Sequence, residues 1–222
     1  MASTSLKTGS RVRAEGPTWE IAHLFPSQGA WSEEEYLGLS GNRLVEFSDG
    51  FLEVLPMPTT SHQALVAILY GLLFAHVEQR DLGKVLFAPL RVRLWPGKFR
   101  EPDLVFMRKA HLRRVGEEFW DRADLVMEVV SGDVENRRRD LVSKRREYAR
   151  ARIPEYWIVD SQKAAIVVLR LAGRRYIVHG SFTQGSQATS PLLPGFTVNV
   201  SAVFEQALAA IPEGRKTRRT QR

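Results

Sequence analysis

Two acids stand where folding alone would favour apolar side chains. Asp103 follows Pro102 and opens the run Leu104 to Met107, so REPDLVFM (100–107) reads as a buried strand with a carboxylate at its mouth. Glu128 lies in the middle of DLVMEVVS (124–131), on the same face of an extended chain as Val126 and Val130. A buried, unpaired carboxylate is strongly destabilising, so each acid must be solvated, paired or bound to a cation. Pairing has candidates among the many arginines, Arg91 and Arg93 included. Two acids on two strands favour the cation, because converging carboxylates repel and one is otherwise forced to keep its proton. Oxygen ligands in a chain without cysteine suit a hard cation, Mg2+ or Mn2+.

Lys144 is the third residue of interest. It follows Asp140 by one helical turn, and the plain reading is a surface pair worth about 0.3–0.5 kcal/mol. The sharper reading is a point charge aimed at the carboxylates, steadying an attacking water or a phosphate oxygen. Two metal-holding acids, a lysine and a basic helix together describe metal-assisted phosphodiester hydrolysis.

The elements that must position these residues follow from local pattern. WSEEEYLGLS (31–40) predicts a short helix capped by Ser32, with three glutamates in its first turn. Asp49-Gly50 between two apolar runs predicts a hairpin. Thr60 and Gln63 have capping-box spacing at the start of an apolar helix reaching about Arg80. KVLFAPLRVRLW (84–95) is a strand region that Pro89 turns into a bulge or an edge, and its second half alternates apolar with basic, leaving one face for solvent or a polyanion. After the two acid-bearing strands comes a basic helix over about 135–152, limited by Pro154. Strands are expected at 155–160, 164–171 and 174–182, then a turn, a short strand and a short helix. The class is α+β with a mixed sheet.

The chain of 222 residues suits one domain at 19–211, with a polar, flexible segment at 1–18 and a basic tail at 212–222. The absence of cysteine excludes disulfides and thiolate sites and fits a reducing, cytoplasmic setting. No signal peptide is read at the N-terminus, and the most apolar stretch, around 62–80, is read as too short and too interrupted to span a membrane. The net charge of +7 is unevenly spread: residues 137–152 carry +6 and residues 215–222 carry +5, leaving the remainder at −4. Arg137, Arg138, Arg139 and Arg145 of the basic helix are therefore candidate contacts to a phosphate backbone, with DNA as the expected partner. The five tryptophans form no stacking array, so base recognition is not legible.

In order and spacing, these segments resemble the Uma-two family, restriction-endonuclease-like proteins of the PD-(D/E)xK nuclease superfamily. The likeness runs from Trp31 to Ala209 through the hairpin around Glu46, Ser61-His62-Gln63, EPDLVFM, DLVMEVVS, RRDLVSKRREYARARIPEYWIVD and SPLLPGF. It implies a restriction-endonuclease-like core of a helix, three strands, a helix and a strand, with added hairpins. It implies a Mg2+-dependent DNA endonuclease, with Asp103 and Glu128 on the metal and Lys144 acting electrostatically. Glu46 matches the family's hairpin acid, completing the metal shell or holding a water-mediated contact. His62 matches a histidine at the helix start, either near the phosphate or merely packing there. The superfamily's usual lysine position is Val130 here, and Lys144, in the pattern Asp140-x-x-x-Lys144-x-x-x-Tyr148, takes its place. Ser131-Gly132 stands where the family reads Ser-Pro. The superfamily also implies dimers. The alternative function is a nuclease-fold nucleic-acid-binding protein that does not cleave.

Overall fold

Apolar density and its interruptions divide the strands between two main sheets. The computed structural model describes residues 25–39, 44–130 and 137–211. The segment 1–18, the tail 212–222, the Ser131-Gly132 turn and residues 135–136 of the expected basic helix lie outside the described residues.

Helix α1 (Glu33–Leu37) precedes strands β1 (Val45–Ser48) and β2 (Phe51–Val54). Helix α2 (Thr60–Gln79) leads into β3 (Gly83–Phe87), β4 (Val92–Trp95), β5 (Lys98–Arg100) and β6 (Leu104–Arg108). A 3-10 turn separates these from β7 (Trp120–Asp121) and β8 (Leu125–Val130). A π-helical turn at Arg139–Lys144 continues as α3 (Arg145–Arg150). The chain closes with β9 (Glu155–Asp160), β10 (Ala165–Ala172), β11 (Arg175–Phe182), β12 (Gln187–Thr189), β13 (Thr197–Asn199) and α4 (Val200–Ala209).

The larger sheet has the order β11-β10-β9-β8-β6-β3, the second β2-β1-β5-β4-β7, and β12-β13 form a small third. In the larger sheet β8 and β9 run parallel, with Glu128 opposite Ile158, while the other neighbours are antiparallel. A parallel pair needs a crossover, and the helical segment carrying Lys144 supplies it. This is the mixed α+β architecture that the sequence implied. Period-two alternation gives β8 two buried faces: Leu125, Met127 and Val129 pack with Leu65, Leu69 and Leu73 of α2, whereas Val126 and Val130 pack with Tyr148 and Tyr156. Glu128 therefore projects to the α3 side.

Three local expectations change. REPDLVFM is no single strand: Arg100 ends β5 in one sheet, Glu101-Pro102-Asp103 crosses over, and Leu104 begins β6 in the other. Proline has no N–H for a ladder, so the crossover falls at Pro102. The cap of α2 is Thr59, whose hydroxyl accepts from His62 N at 3.3 Å, one residue earlier than the spacing of Thr60 with Gln63 suggested. The basic face of β4 meets protein: Arg91 donates to the Leu37 and Leu39 carbonyls at 2.9 and 3.1 Å, and Arg93 lies over Phe119.

The α1 cap and the hairpin turn hold as expected. Ser32 caps α1 in a capping box with Glu35, and Asp49 and Gly50 both take positive φ, 48° and 86°, at the hairpin turn. Helix α2, with 20 residues and a mean hydropathy of 1.3 in its most apolar window, has the length and composition of a membrane span, contrary to the reading of its sequence. One face of it is buried on the larger sheet.

Candidate active site

The crossover at Pro102 fixes Asp103 from both sides. Its Oδ2 accepts from the backbone N–H of Val129 at 2.7 Å, and its Oδ1 lies 3.0 Å from His62 Nε2 at the start of α2. The bond to Val129 sets Asp103 beside Glu128, the preceding residue on β8. Burial pulls the His62 pKa down, but the hydrogen bond and charge of Asp103 outweigh it and leave the ring more basic than usual.

Glu128 is 4% exposed and held by two donors from the helical crossover. Tyr148 Oη donates to its Oε1 at 2.5 Å, and Lys144 Nζ lies 2.9 Å from its Oε2. Burial pushes the Glu128 carboxyl up in pKa; Lys144 opposes this, while Asp103, Asp140 and Glu46 add to it. Burial alone would lower the Lys144 pKa, yet its carboxylate neighbours raise it, so the ammonium stays charged.

Lys144 is only 2% exposed, so its pairing with Asp140 at 3.2 Å is an interior contact and no surface pair. The π-helical turn places Asp140 and Lys144 on the inner side of the crossover, where π distortions often serve sites. Val130, the usual lysine position of the superfamily, is fully enclosed in the core.

Glu46 lies behind Lys144. It is fully buried, 3.5 Å from Lys144 Nζ and 2.5 Å from Arg100, and accepts the Glu101 N–H at 3.3 Å. Burial opposes its ionisation, but Lys144, Arg100 and Arg139 hold its pKa down at about 2. Its place is that of a residue positioning Lys144.

A cavity of about 260 Å³ gathers His62, Glu101, Asp103, Glu128, Asp140 and Lys144, with Arg139 also on its wall. Pro56, Met57 and Pro58 contribute an apolar lip. Sequence reasoning passed over Glu101, although it stands directly before Pro102-Asp103. Burial and then Glu46 push its carboxyl up to about 7. It also gave Tyr148 no role, although the spacing Lys144-x-x-x-Tyr148 puts both on one helix face.

The four candidate phosphate-binding arginines separate in space. Arg137 is bidentate to Asp160 at 3.0 and 2.6 Å, and Arg139 pairs with Glu53 at 2.8 Å. Arg138 is exposed, beside Arg139 and Ser143 in a second concavity. Arg145 donates to the Tyr176 carbonyl at 3.3 Å and lines a surface concavity with Arg146, Arg174 and Arg175. Arg174, in the β10–β11 turn, and Arg175, which opens β11, were not singled out by the sequence.

A family model described as Uma2, "Putative restriction endonuclease", matches residues 33–201. No curated protein matches the chain. Among solved structures, a protein from Anabaena variabilis described as "a putative nuclease belonging to DUF820" aligns with a TM-score of 0.65. The two chains share 14% identity, over 80% of this chain and 99% of that one, so the likeness is one of fold.

Proposed function

The chain belongs to the Uma2 family, and from that membership we propose that it is a Mg2+-dependent endonuclease that hydrolyses DNA, with Asp103 and Glu128 holding the ion. The observation that carries this reading is the meeting of the two acids, from the crossover before β6 and from β8, on one cavity with Lys144 2.9 Å from Glu128. The donor set fits the ion. Four carboxyl groups face the cavity against two permanent cations, Lys144 and Arg139. Among the described residues no three His, Asp or Glu side chains are grouped so as to hold a metal ion by themselves. Mg2+ commonly takes one or two carboxylates and completes its shell with water and substrate phosphate, so Asp103 and Glu128 are the pair that would hold it. When bound, the ion supplies Lewis acidity toward phosphate and a more acidic water.

The protein's own groups do the rest. Lys144 and Arg139 keep positive charge on the cavity wall, where it stabilises charge on phosphate oxygens. Val129 N–H and His62 fix the rotamer of Asp103, and Tyr148 fixes that of Glu128. Glu46 holds Lys144 in place from behind.

Supercoiled plasmid incubated with the full chain and Mg2+ or Mn2+ tests the reading. Asp103→Asn and Glu128→Gln are each expected to slow nicking by about 100-fold or more, on the scale of losing several kcal/mol of charge stabilisation. Absence of nicking by the unmodified chain, with salt-sensitive DNA binding intact, would favour the non-cleaving alternative.

The concavity of Arg145, Arg146, Arg174 and Arg175 provides a second test of the DNA reading. Arg146→Ala with Arg175→Ala is expected to weaken duplex binding and to reduce the slope of log K against log salt by about 2, one per lost phosphate contact. Fluorescence anisotropy over a KCl series measures it. An unchanged slope would remove this surface from the duplex path.

A further inference from the structure

Met57 contributes little to the packing of the fold. Its side chain is 77% exposed and joins none of the clusters of buried apolar side chains among the described residues. A single exposed methionine would mean nothing by itself; its backbone and its position give it meaning. Pro56 and Pro58 each fix their own φ, and each confines the residue before it, Leu55 or Met57, to extended conformations. The segment is tied at both ends, because the Leu55 N–H donates to the Leu44 carbonyl at 2.9 Å and Thr59 caps α2. An apolar side chain on a backbone already held in place loses less freedom when something binds to it.

The position is the lip of the cavity of Asp103, Glu128 and Lys144, which Met57 forms with Pro56 and Pro58. Pro56 also walls the neighbouring concavity, together with Arg138, Arg139 and Ser143. Arg138 is exposed and makes no ion pair with a described residue. A strand that leaves the cavity over this lip therefore meets a second positive surface. Polar recess, apolar ridge and positive recess follow the order phosphate, base, phosphate along one nucleotide step. We propose that Met57 is a positioning residue, lying against the nucleobase that adjoins the scissile phosphate. Methionine and proline are among the apolar side chains that insert against bases and unstack them, and a polarisable thioether suits a flat aromatic face. The inference rests on the nuclease reading of this cavity. It narrows the substrate to a strand whose base can leave its stack, as in single-stranded or locally opened DNA.

The test compares two single strands of about twelve nucleotides, oligothymidylate and a fully abasic strand with the same phosphates. Binding to the full chain is followed by fluorescence anisotropy, with Ca2+ as the oxygen-binding cation. The unmodified chain is expected to bind oligothymidylate about tenfold more tightly than the abasic strand. Met57→Ser should lose most of that preference while its affinity for the abasic strand stays unchanged. The salt dependence should be the same for both proteins, because no phosphate contact is removed. Met57→Leu should keep the preference, since an apolar side chain remains, and neither substitution of this exposed residue should move Tm. No preference in the unmodified chain, a preference kept in Met57→Ser, or an equal loss of affinity for both strands would overturn the role of Met57. Plasmid nicking by the same preparation would then leave the nuclease reading standing. Absence of both oligonucleotide binding and nicking would overturn the two together.

Discussion

Arg100→Met is expected to lower the free energy of unfolding by about 3–5 kcal/mol at neutral pH, the usual scale for breaking a buried charge network from one side. Arg100 is 4% exposed, with Nη1 2.5 Å from Glu46 and with Nε and Nη2 at 2.7 and 2.9 Å from Glu147. Methionine fills a similar volume but leaves the fully buried Glu46 with Lys144 at 3.5 Å as its remaining ion pair. The pH dependence gives the effect a signature. The folded-state pKa of Glu46 is about 2, below the ordinary 4.5, and that of Glu147 is also lowered. Burial opposes both shifts, and the cations around them, Arg100 included, outweigh it. Depressed acids contribute stability that is fully present above the unfolded pKa and lost as pH falls through the folded one. The deficit of the variant should therefore be largest at neutral pH and narrow below about pH 4.5. Urea unfolding at several pH values measures this, and a deficit independent of pH would show that Arg100 acts through packing alone.

Much of this arrangement was written in local sequence. The Asp49-Gly50 turn, the Ser32 cap and the apolar runs at β8 and β9 are short-range signals, and all of them appear in the structure. Asp103 and Glu128 were conspicuous because a carboxylate contradicts the apolar pattern around it. Glu101 escaped because, as part of REPD, it looked like the polar start of a strand; only the crossover between sheets buries it. Lys144 shows the same limit. The charge run in 137–152 suggested contacts to a phosphate backbone and, for Lys144, a surface pair, yet which cations point inward depends on the π-helical turn and on the parallel pairing of β8 with β9. The arginines diverge for the same reason: Arg137 meets Asp160 across the crossover, a contact set by tertiary placement. Arg174 and Arg175 were unremarkable in sequence because the surface they share with Arg145 and Arg146 is assembled from separate elements.

Lys144→Met distinguishes a catalytic lysine from a structural counter-ion. The ammonium lies 2.9 Å from Glu128, 3.2 Å from Asp140 and 3.5 Å from Glu46, so its removal strips three buried carboxyl groups of a common cation. Stability should fall by about 3–5 kcal/mol at neutral pH. The loss is bounded because burial and the neighbouring acids already favour the protonated form of Glu128, which can take up a proton when its ammonium goes. An acid whose folded pKa is raised loses stability as pH climbs from its unfolded value through its folded one. The deficit should accordingly be wider at about pH 8 than at about pH 5. Nicking should fall by about 100-fold or more, the scale of losing one preorganised charge at a developing anion. Mn2+ affinity should hold or improve, because the internal cation no longer competes for Glu128. Nicking that survives the substitution would remove Lys144 from the chemistry. Joint loss of Mn2+ binding and nicking in a variant that still melts cooperatively would reduce Lys144 to a structural counter-ion for the acids.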